Sequence, residues 1–465
     1  MALVDQRVGL TLGPVLAVLV AILMWWGGLP TAAWITGSVT TLVVIWWMLE
    51  PIPIPVTSLI PLFAFPLFGV IEIADVRSAY GHPLILLLLG GFILSTAMAK
   101  SGLHKRLAFV MLRVFGATSG RRLVMGFMAT AAILSMWMSN TATTLMLLPV
   151  ALAILDRIND PRLVAPLLLG TAHAASVGGI GTPIGTPPNV VFLGIYSQTT
   201  GTEIGFFEWM TWGVPVVILI VPLLALWLTR HVNYKTQIEL PTVGKWTRAE
   251  ILVLAVFTLT ALLWVTRKLP EPIHGWSQFF GEFFSGATSD YMAAFFAIVL
   301  LFLIPDGKGG KLLDWETATT IPWGMLILFG AGLSIATAFT SSGLSEILAT
   351  QLQALGALPV ILVVVIICVG VTFLTEATSN TATTTLLLPI LGATAIALAV
   401  DPRYLMVPAT MSASCAFMLP VATPPNVVVF SSGRFPIEKM AQEGFVLNLI
   451  GAAVISTMCF FYFGL

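Results

Sequence analysis

Apolar runs of membrane-crossing length recur from one end of the chain to the other. Val8–Trp26, Ile35–Leu49, Leu84–Ala99, Val214–Thr229, Ile251–Thr266 and Val446–Phe463 approach or reach the ~20 apolar residues that carry a helix across a hydrocarbon core. Strand-like runs such as Ile361–Ile367 are read as helix too, because a bilayer accepts only helices and closed barrels, and barrel strands are short and alternating. The pattern predicts an all-α polytopic membrane protein. Eleven transmembrane helices are expected, near residues 8–28, 32–49, 54–72, 83–99, 163–197, 212–230, 249–266, 290–305, 321–339, 404–432 and 443–464. Two further stretches, from about Leu123 to Leu155 and from Leu358 to Val400, are too long for one span and are broken midway by polar residues. Arms of about 14 residues reach only part-way across, so each stretch is expected to be a re-entrant helical hairpin with its tip near the midplane.

The hairpins are copies of one unit. SNTATT occurs at Ser139–Thr144 and again, 240 residues later, at Ser379–Thr384. Its neighbours repeat in the same order: SGL at Ser101–Leu103 and Ser342–Leu344, DPR at Asp160–Arg162 and Asp401–Arg403, TPPN at Thr186–Asn189 and Thr423–Asn426. An internal duplication follows. Downstream of each hairpin, the apolar segments Leu163–Ser197 and Tyr404–Ser432 are interrupted by GGIGTPIGTPPN and LPVATPPN. Successive prolines there remove backbone donors and crowd the preceding turn, which predicts two discontinuous helices. Gly/Pro-interrupted segments at matching positions of two halves point to a transporter's binding site.

Composition and charge sharpen this picture. The chain is 58% hydrophobic and 9% charged, against about 25% charged in soluble domains. With a cytoplasmic N-terminus, 17 of the 21 Lys and Arg residues fall inside, and only Arg77, Arg267, Lys268 and Arg403 outside. Among those inside is the loop Arg230–Arg248. The same count puts the first hairpin's entry on the cytoplasmic side and the second's outside, so the repeats are inverted and the C-terminus is external. Met1–Gly9 carries a single Arg7 and no small-residue cleavage site, so the first apolar run is expected to be retained. Cys368, Cys415 and Cys459 lack CxxC spacing and imply packing, not metal or disulfides. Zero net charge and the lack of a basic tail give no hint of nucleic acid.

Ser-Asn-Thr at a buried turn places hydroxyl and amide groups beside a helix N-terminus, where backbone N–H groups and the helix dipole favour an anion. Two such tips suit an anion with two carboxylates. Carbonyls freed at the breaks, with Ser and Asn oxygens, suit sodium. The motifs hold no Arg or Lys, so a dianion would be strongly disfavoured without bound cations, and cation coupling is expected.

Two SNT motifs, each followed by a PPN-containing broken helix, resemble the divalent anion:sodium symporter (DASS) family over nearly the whole chain, most closely its bacterial INDY-type dicarboxylate members. The resemblance implies a homodimer in the cell's inner (plasma) membrane that co-transports sodium with a small C4-dicarboxylate anion such as succinate, fumarate or malate, with sodium as coupling ion and no other cofactor. It implies a scaffold formed by residues 1–122, with a cytoplasmic surface helix, and by 231–356, with an outer surface helix. Residues 123–230 and 357–465 would form a transport part that moves as an elevator. By matching position, one sodium site uses Ser135, Ser139, Asn140 and the backbone near Gly185; the other uses Thr375, Ser379, Asn380 and the backbone near Ala422. The substrate meets Asn140, Thr141, Thr186, Asn380, Thr381, Thr423 and Pro424. One departure is Thr186, where INDY-type members tend to carry Ser; the extra methyl narrows the pocket. A dicarboxylate exchanger and a sulfate or tricarboxylate carrier are the alternatives within the family.

Outside the family, an intramembrane enzyme would need a catalytic constellation, and there is no HExxH or GxGD. A passive channel fits poorly with paired repeats around a central site. Several single residues keep two readings. Glu376, opposite Met136 in the first repeat, is either a hydrogen-bonded structural carboxylate or part of coupling. His173 reads as packing before proton relay. Trp25, Trp26, Trp34, Trp46 and Trp47 read as an interfacial belt. The segment Leu103–Arg122 reads as a surface helix, either an arm joining scaffold to moving part or a contact for anionic lipid.

Overall fold

The structure is a computed structural model that describes residues 6–115, 119–158, 160–232, 244–269, 273–284, 288–351 and 358–464. Residues 1–5 of the N-terminal stretch, Lys235 with most of the loop between Arg230 and Arg248, and residues 352–356 at the end of the outer surface helix lie outside the described residues. Among the described residues, ten helices are long and apolar enough to cross a membrane. Eight of them coincide with expected spans: Arg7–Trp26, Thr31–Leu49, Ile73–Ser101, Pro161–Gly181, Phe206–Leu228, Arg248–Arg267, Trp323–Ser341 and Ile437–Phe463. The other three expected spans are short or broken: Ile54–Leu67, Asp290–Leu303 and the interrupted 403–430 segment.

Each stretch expected to be a hairpin is two helices joined at the SNT turn, and the two arms are unequal. The first arms are Gly120–Ser135, of 16 residues, and Val360–Leu374, of 15. The second arms, Asn140–Ile158 and Asn380–Ala397, run to 19 and 18 residues, longer than the expected arms and within spanning length. Pro149 and Pro389 lie inside these second arms without ending them. Each first arm packs on the helix after its own hairpin, 120–135 on 161–178 and 360–374 on 403–412. The second arms cross over: 140–158 lies against 424–430 of the other half, and 380–397 against 187–200. This reciprocal exchange interlocks the two halves at the breaks.

Glycines permit the close approaches. A Cβ on Gly178 would lie 2.3 Å from the Ala132 carbonyl oxygen, so the first hairpin and its broken helix can touch backbone to backbone. Gly213 and Gly444 play the same part for the helices Phe206–Leu228 and Ile437–Phe463. Their added Cβ atoms would meet Ile180 O at 2.4 Å and Phe417 O at 2.2 Å, at the first and second breaks.

Two of the tryptophans are packing pins, not an interfacial belt. Trp47 is fully buried and donates to Ser58 Oγ, and Trp46 donates to the Gly9 carbonyl. Trp25 and Trp26 stay exposed at the end of the first helix. The helix Leu103–Phe115 is held by Arg106, whose buried guanidinium pairs with Glu250 at 2.8 Å and donates to the carbonyls of Gly244 and Lys245. Removing one partner of a buried pair strands the other. Arg106→Ala is expected to destabilise the detergent-solubilised protein by about 3 kcal/mol, read as a lower melting temperature. Lys100→Ala, which breaks the exposed pair with Asp314, should leave melting unchanged.

Candidate functional site

The site grows from the points where helices stop. The first broken helix runs Pro161–Gly178, tightens into a 3-10 turn at Gly179–Gly181, and restarts at Pro187–Thr200. The second runs Arg403–Ser412, unwinds, and restarts at Pro424–Phe430. Thr186 and Thr423 take the same extended backbone before proline (φ −147° and −142°), so proline's missing donor falls where a helix has no use for it. Where the helices stop, the carbonyls of Ala175 and Gly185 lie beside Asn140 at the first tip, and that of Ala413 lies beside Thr375 at the second.

At the first tip, Ser135 ends one arm and Asn140 begins the next, with Ser139 capping the Ala142 N–H at 3.1 Å. The Asn140 amide lies 2.6 Å from Ser135 Oγ. With its nitrogen turned inward it also donates to the carbonyls of Ala175 and Gly185, each at 3.2 Å. Turned the other way, its oxygen completes a ring of four oxygens. Thr186 belongs to the same cluster: a Cβ on Gly179 would touch Asn140 Oδ1 and Gly185 O at 2.9 Å and Thr186 Cβ at 3.0 Å.

The second tip repeats this. Thr375 Oγ1 lies 2.6 Å from Asn380 Oδ1 and 3.3 Å from the Ala413 carbonyl. Thr144 and Thr384 each turn a hydroxyl back to the carbonyl of Asn140 or Asn380, at 2.9 and 2.7 Å. Ser379 sits at the cap position without a cap bond. The structure therefore brings Ser135, Asn140, Gly185 and Thr186 together in one half, and Thr375 and Asn380 in the other. Thr381, Thr423 and Ala422 are buried nearby in sequence, while Pro424 is exposed. Among the described residues no side-chain hydrogen bond ties Thr141, Thr381, Ala422 or Pro424 to either cluster.

Sequence reading missed four groups. Ala175 and Ala413 contribute carbonyls; their signal is their place just before the breaks. Asn189 and Asn426, the asparagines of the two TPPN motifs, close the breaks. Asn189 Nδ2 donates to Gly179 O at 2.9 Å and Thr182 O at 2.7 Å; Asn426 Nδ2 donates to Ala416 O at 3.1 Å and Leu419 O at 3.0 Å. Their repetition is visible in the sequence, where the motif marks the breaks and its threonines and Pro424 are the expected contacts, with no role given to its asparagines.

Glu376 resolves toward structure. Its Oε1 accepts from the N–H groups of Phe417 and Met418 and from Asn448 Nδ2, and its Oε2 accepts from Leu419 N–H, all within 2.9 Å. The first half has Met136 at that position and pins its break with Trp209 Nε1 on Ile180 O at 2.8 Å. His173 is fully buried, its nitrogens make no hydrogen bond, and its ring packs 4.8 Å from that of Phe417. It is a packing contact between the two breaks.

Duplicated hairpins facing duplicated helix breaks inside a polytopic membrane protein define a secondary transporter. Residues 6–464 match the family described as the sodium:sulfate symporter transmembrane region, and the chain belongs to that family. It is 39% identical to the sodium-dependent dicarboxylate transporter SdcS of Staphylococcus saprophyticus, over 98% of this chain and 91% of the relative. SdcS of Staphylococcus aureus is 38% identical with the same coverage. In fold it is similar to the YdaH transporter of Alcanivorax borkumensis, described as having an unusual topology, with a TM-score of 0.57 and 14% identity over 84% of this chain and 87% of that one. The protein is a transporter and not an enzyme.

Proposed function

We propose that this transporter couples sodium ions to the movement of a small C4-dicarboxylate such as succinate, fumarate or malate. The observation that carries the reading is the pair of hydroxyl, amide and carbonyl clusters at the hairpin tips, Ser135/Asn140/Ala175/Gly185 and Thr375/Asn380/Ala413. Hard cations take oxygen ligands. Sodium at the first tip would draw Asn140 Oδ1 inward against the carbonyls; without it the amide nitrogen satisfies them. Each amide thus has a cation-bound and a cation-free orientation. Ser139, Ser379 and the backbone at Ala422 would complete the cation shells, and Thr141, Thr186, Thr381, Thr423 and Pro424 would meet the carboxylates beside the helix N-termini. The SdcS relatives, sodium-dependent dicarboxylate transporters by name, support this substrate class.

The two repeats are inverted in this reading, with eleven crossings, the N-terminus cytoplasmic and the C-terminus outside the plasma membrane. Residues 123–230 and 357–465 form the moving part against a scaffold of 1–122 and 231–356, in a homodimeric elevator. The contacts of Gly213 and Gly444 with the breaks favour grouping the helices Phe206–Leu228 and Ile437–Phe463 with the moving part.

Radiolabelled succinate uptake into proteoliposomes tests the proposal. An inward sodium gradient should drive uptake and choline should not. Equal uptake in choline, dependent on internal dicarboxylate, makes the protein an exchanger. Uptake blocked by sulfate or citrate but not by fumarate reassigns the substrate.

A further inference from the structure

The prolines of the two second hairpin arms stand at the same repeat position, Pro149 and Pro389, 240 residues apart. Proline cannot donate to the carbonyl four residues back, and its ring forces that turn open. Beside each proline lies a cavity of about 280 Å³, lined in part by the short helix that precedes the hairpin, Leu103–Phe115 in the first half and Leu344–Gln351 in the second.

The cavities share a place in the repeat but not a chemistry. The one at Pro389 is lined by Gln198, Thr340, Ser345 and Glu346 among others, which suits neither an anion nor a hydrocarbon chain. The one at Pro149 is walled by Ala108, Leu112, Leu147 and Val150, with Lys105 as its single charged group. Lys100 and Arg106, on either side of Lys105, are paired with Asp314 and Glu250. Lys105 is exposed and has no ion-pair partner among the described residues. It lies four residues beyond the end of the membrane-length helix Ile73–Ser101, where a spanning helix gives way to the interface. Leu145, which lines the cavity, is exposed at 54%, and Val110 on the neighbouring helix at 41%.

We propose that the cavity at Pro149 is a binding site for an anionic phospholipid, one acyl chain entering beside the proline and the phosphate meeting Lys105. A chain leaving the bilayer for a protein groove gains little from the hydrophobic effect, since both surroundings are apolar. Selection therefore rests on the headgroup, and one lysine near an anionic surface favours it about fivefold. The occupied arm is the one that begins at Asn140, so lipid composition acts on the hairpin that carries the first cluster.

The test is native mass spectrometry of the full chain extracted from vesicles of phosphatidylcholine mixed with phosphatidylglycerol, without sodium or dicarboxylate, so that its outcome is independent of the transport reading. Wild type should retain phosphatidylglycerol in preference to phosphatidylcholine. Lys105→Gln should lose that preference by about fivefold, and Ala108→Trp, which fills the cavity, should retain neither lipid. Ala393→Trp, which fills the other cavity, should behave as wild type. Equal retention of both lipids by wild type, or unchanged preference in Lys105→Gln, overturns the proposal. Where Ala108→Trp fails to yield monodisperse protein, the surface change at Lys105 decides alone.

Discussion

Replacing Asn140 or Asn380 by alanine should raise the sodium concentration needed for half-maximal dicarboxylate uptake by about 10- to 100-fold. Each amide is the one amide side chain in its cluster; Asn140 reaches the Ala175 and Gly185 carbonyls with its nitrogen turned inward, and Asn380 Oδ1 accepts from Thr375 Oγ1. Interactions of a neutral group with a full charge contribute about 1.5–3 kcal/mol, and each 1.4 kcal/mol is tenfold. Alanine removes the ligand and also leaves the Ser135 or Thr375 hydroxyl without its 2.6 Å partner. Ser135→Ala and Thr375→Val remove only the hydroxyl and should have smaller effects, about tenfold or less. Sodium titration of succinate uptake measures this, together with sodium-induced stabilisation in the absence of substrate. If both asparagine variants keep the wild-type sodium midpoint, the clusters are only backbone pins and the coupling sites lie elsewhere.

Much of this architecture was legible because the duplication writes each element twice. SNTATT and TPPN, in fixed order, marked the SNT turns and the breaks, and the structure places Ser135, Asn140, Gly185 and Thr186 side by side. The arms were harder to read. Their apolar pattern continues through Pro149, which is exposed, and Pro389, which is buried, and nothing in composition says that either helix will run on past the lost hydrogen bond. Trp46 and Trp47 were misread because an aromatic pair at a helix end looks the same whether it faces headgroups or, as here, Gly9 and Ser58. The clamps at Asn189 and Asn426 are local, seven to ten residues from their acceptors, yet they depend on a backbone reversal that only the folded break creates.

The two breaks also show how an internal repeat diverges while preserving geometry. Both must hold several residues of non-helical backbone at a depth where unpaired polar groups are costly. The first does so with indole and amide donors aimed at carbonyls: Trp209 on Ile180, Asn189 on Gly179 and Thr182. The second opens wider and exposes N–H groups as well, which need an acceptor. A carboxylate supplies it, at a position where the first repeat has methionine.

Glu376→Ala should consequently be among the most damaging single changes in the chain. It strands the Met418 and Leu419 N–H groups and the Asn448 amide nitrogen in a buried site, while Phe417 N–H keeps Asn448 Oδ1 at 3.1 Å, and each unpaired group costs about 1–3 kcal/mol. A destabilisation of about 3 kcal/mol or more is expected, with uptake lost because the loop bearing the Ala413 carbonyl no longer holds its shape. Glu376→Gln separates structure from charge. Its oxygen keeps the three bonds made by Oε1, while its nitrogen opposes the Leu419 N–H and should lower stability by about 1–2 kcal/mol. Thr375, the adjacent residue, belongs to the second cluster, so removing a negative charge there should also weaken sodium at that cluster more than at the first. Melting temperature without sodium, followed by its rise on sodium addition, resolves the two effects. A glutamine variant that melts like wild type but transports with altered charge per dicarboxylate would place the carboxylate in the coupling step itself, and the purely structural role derived from its four hydrogen bonds would have to be abandoned.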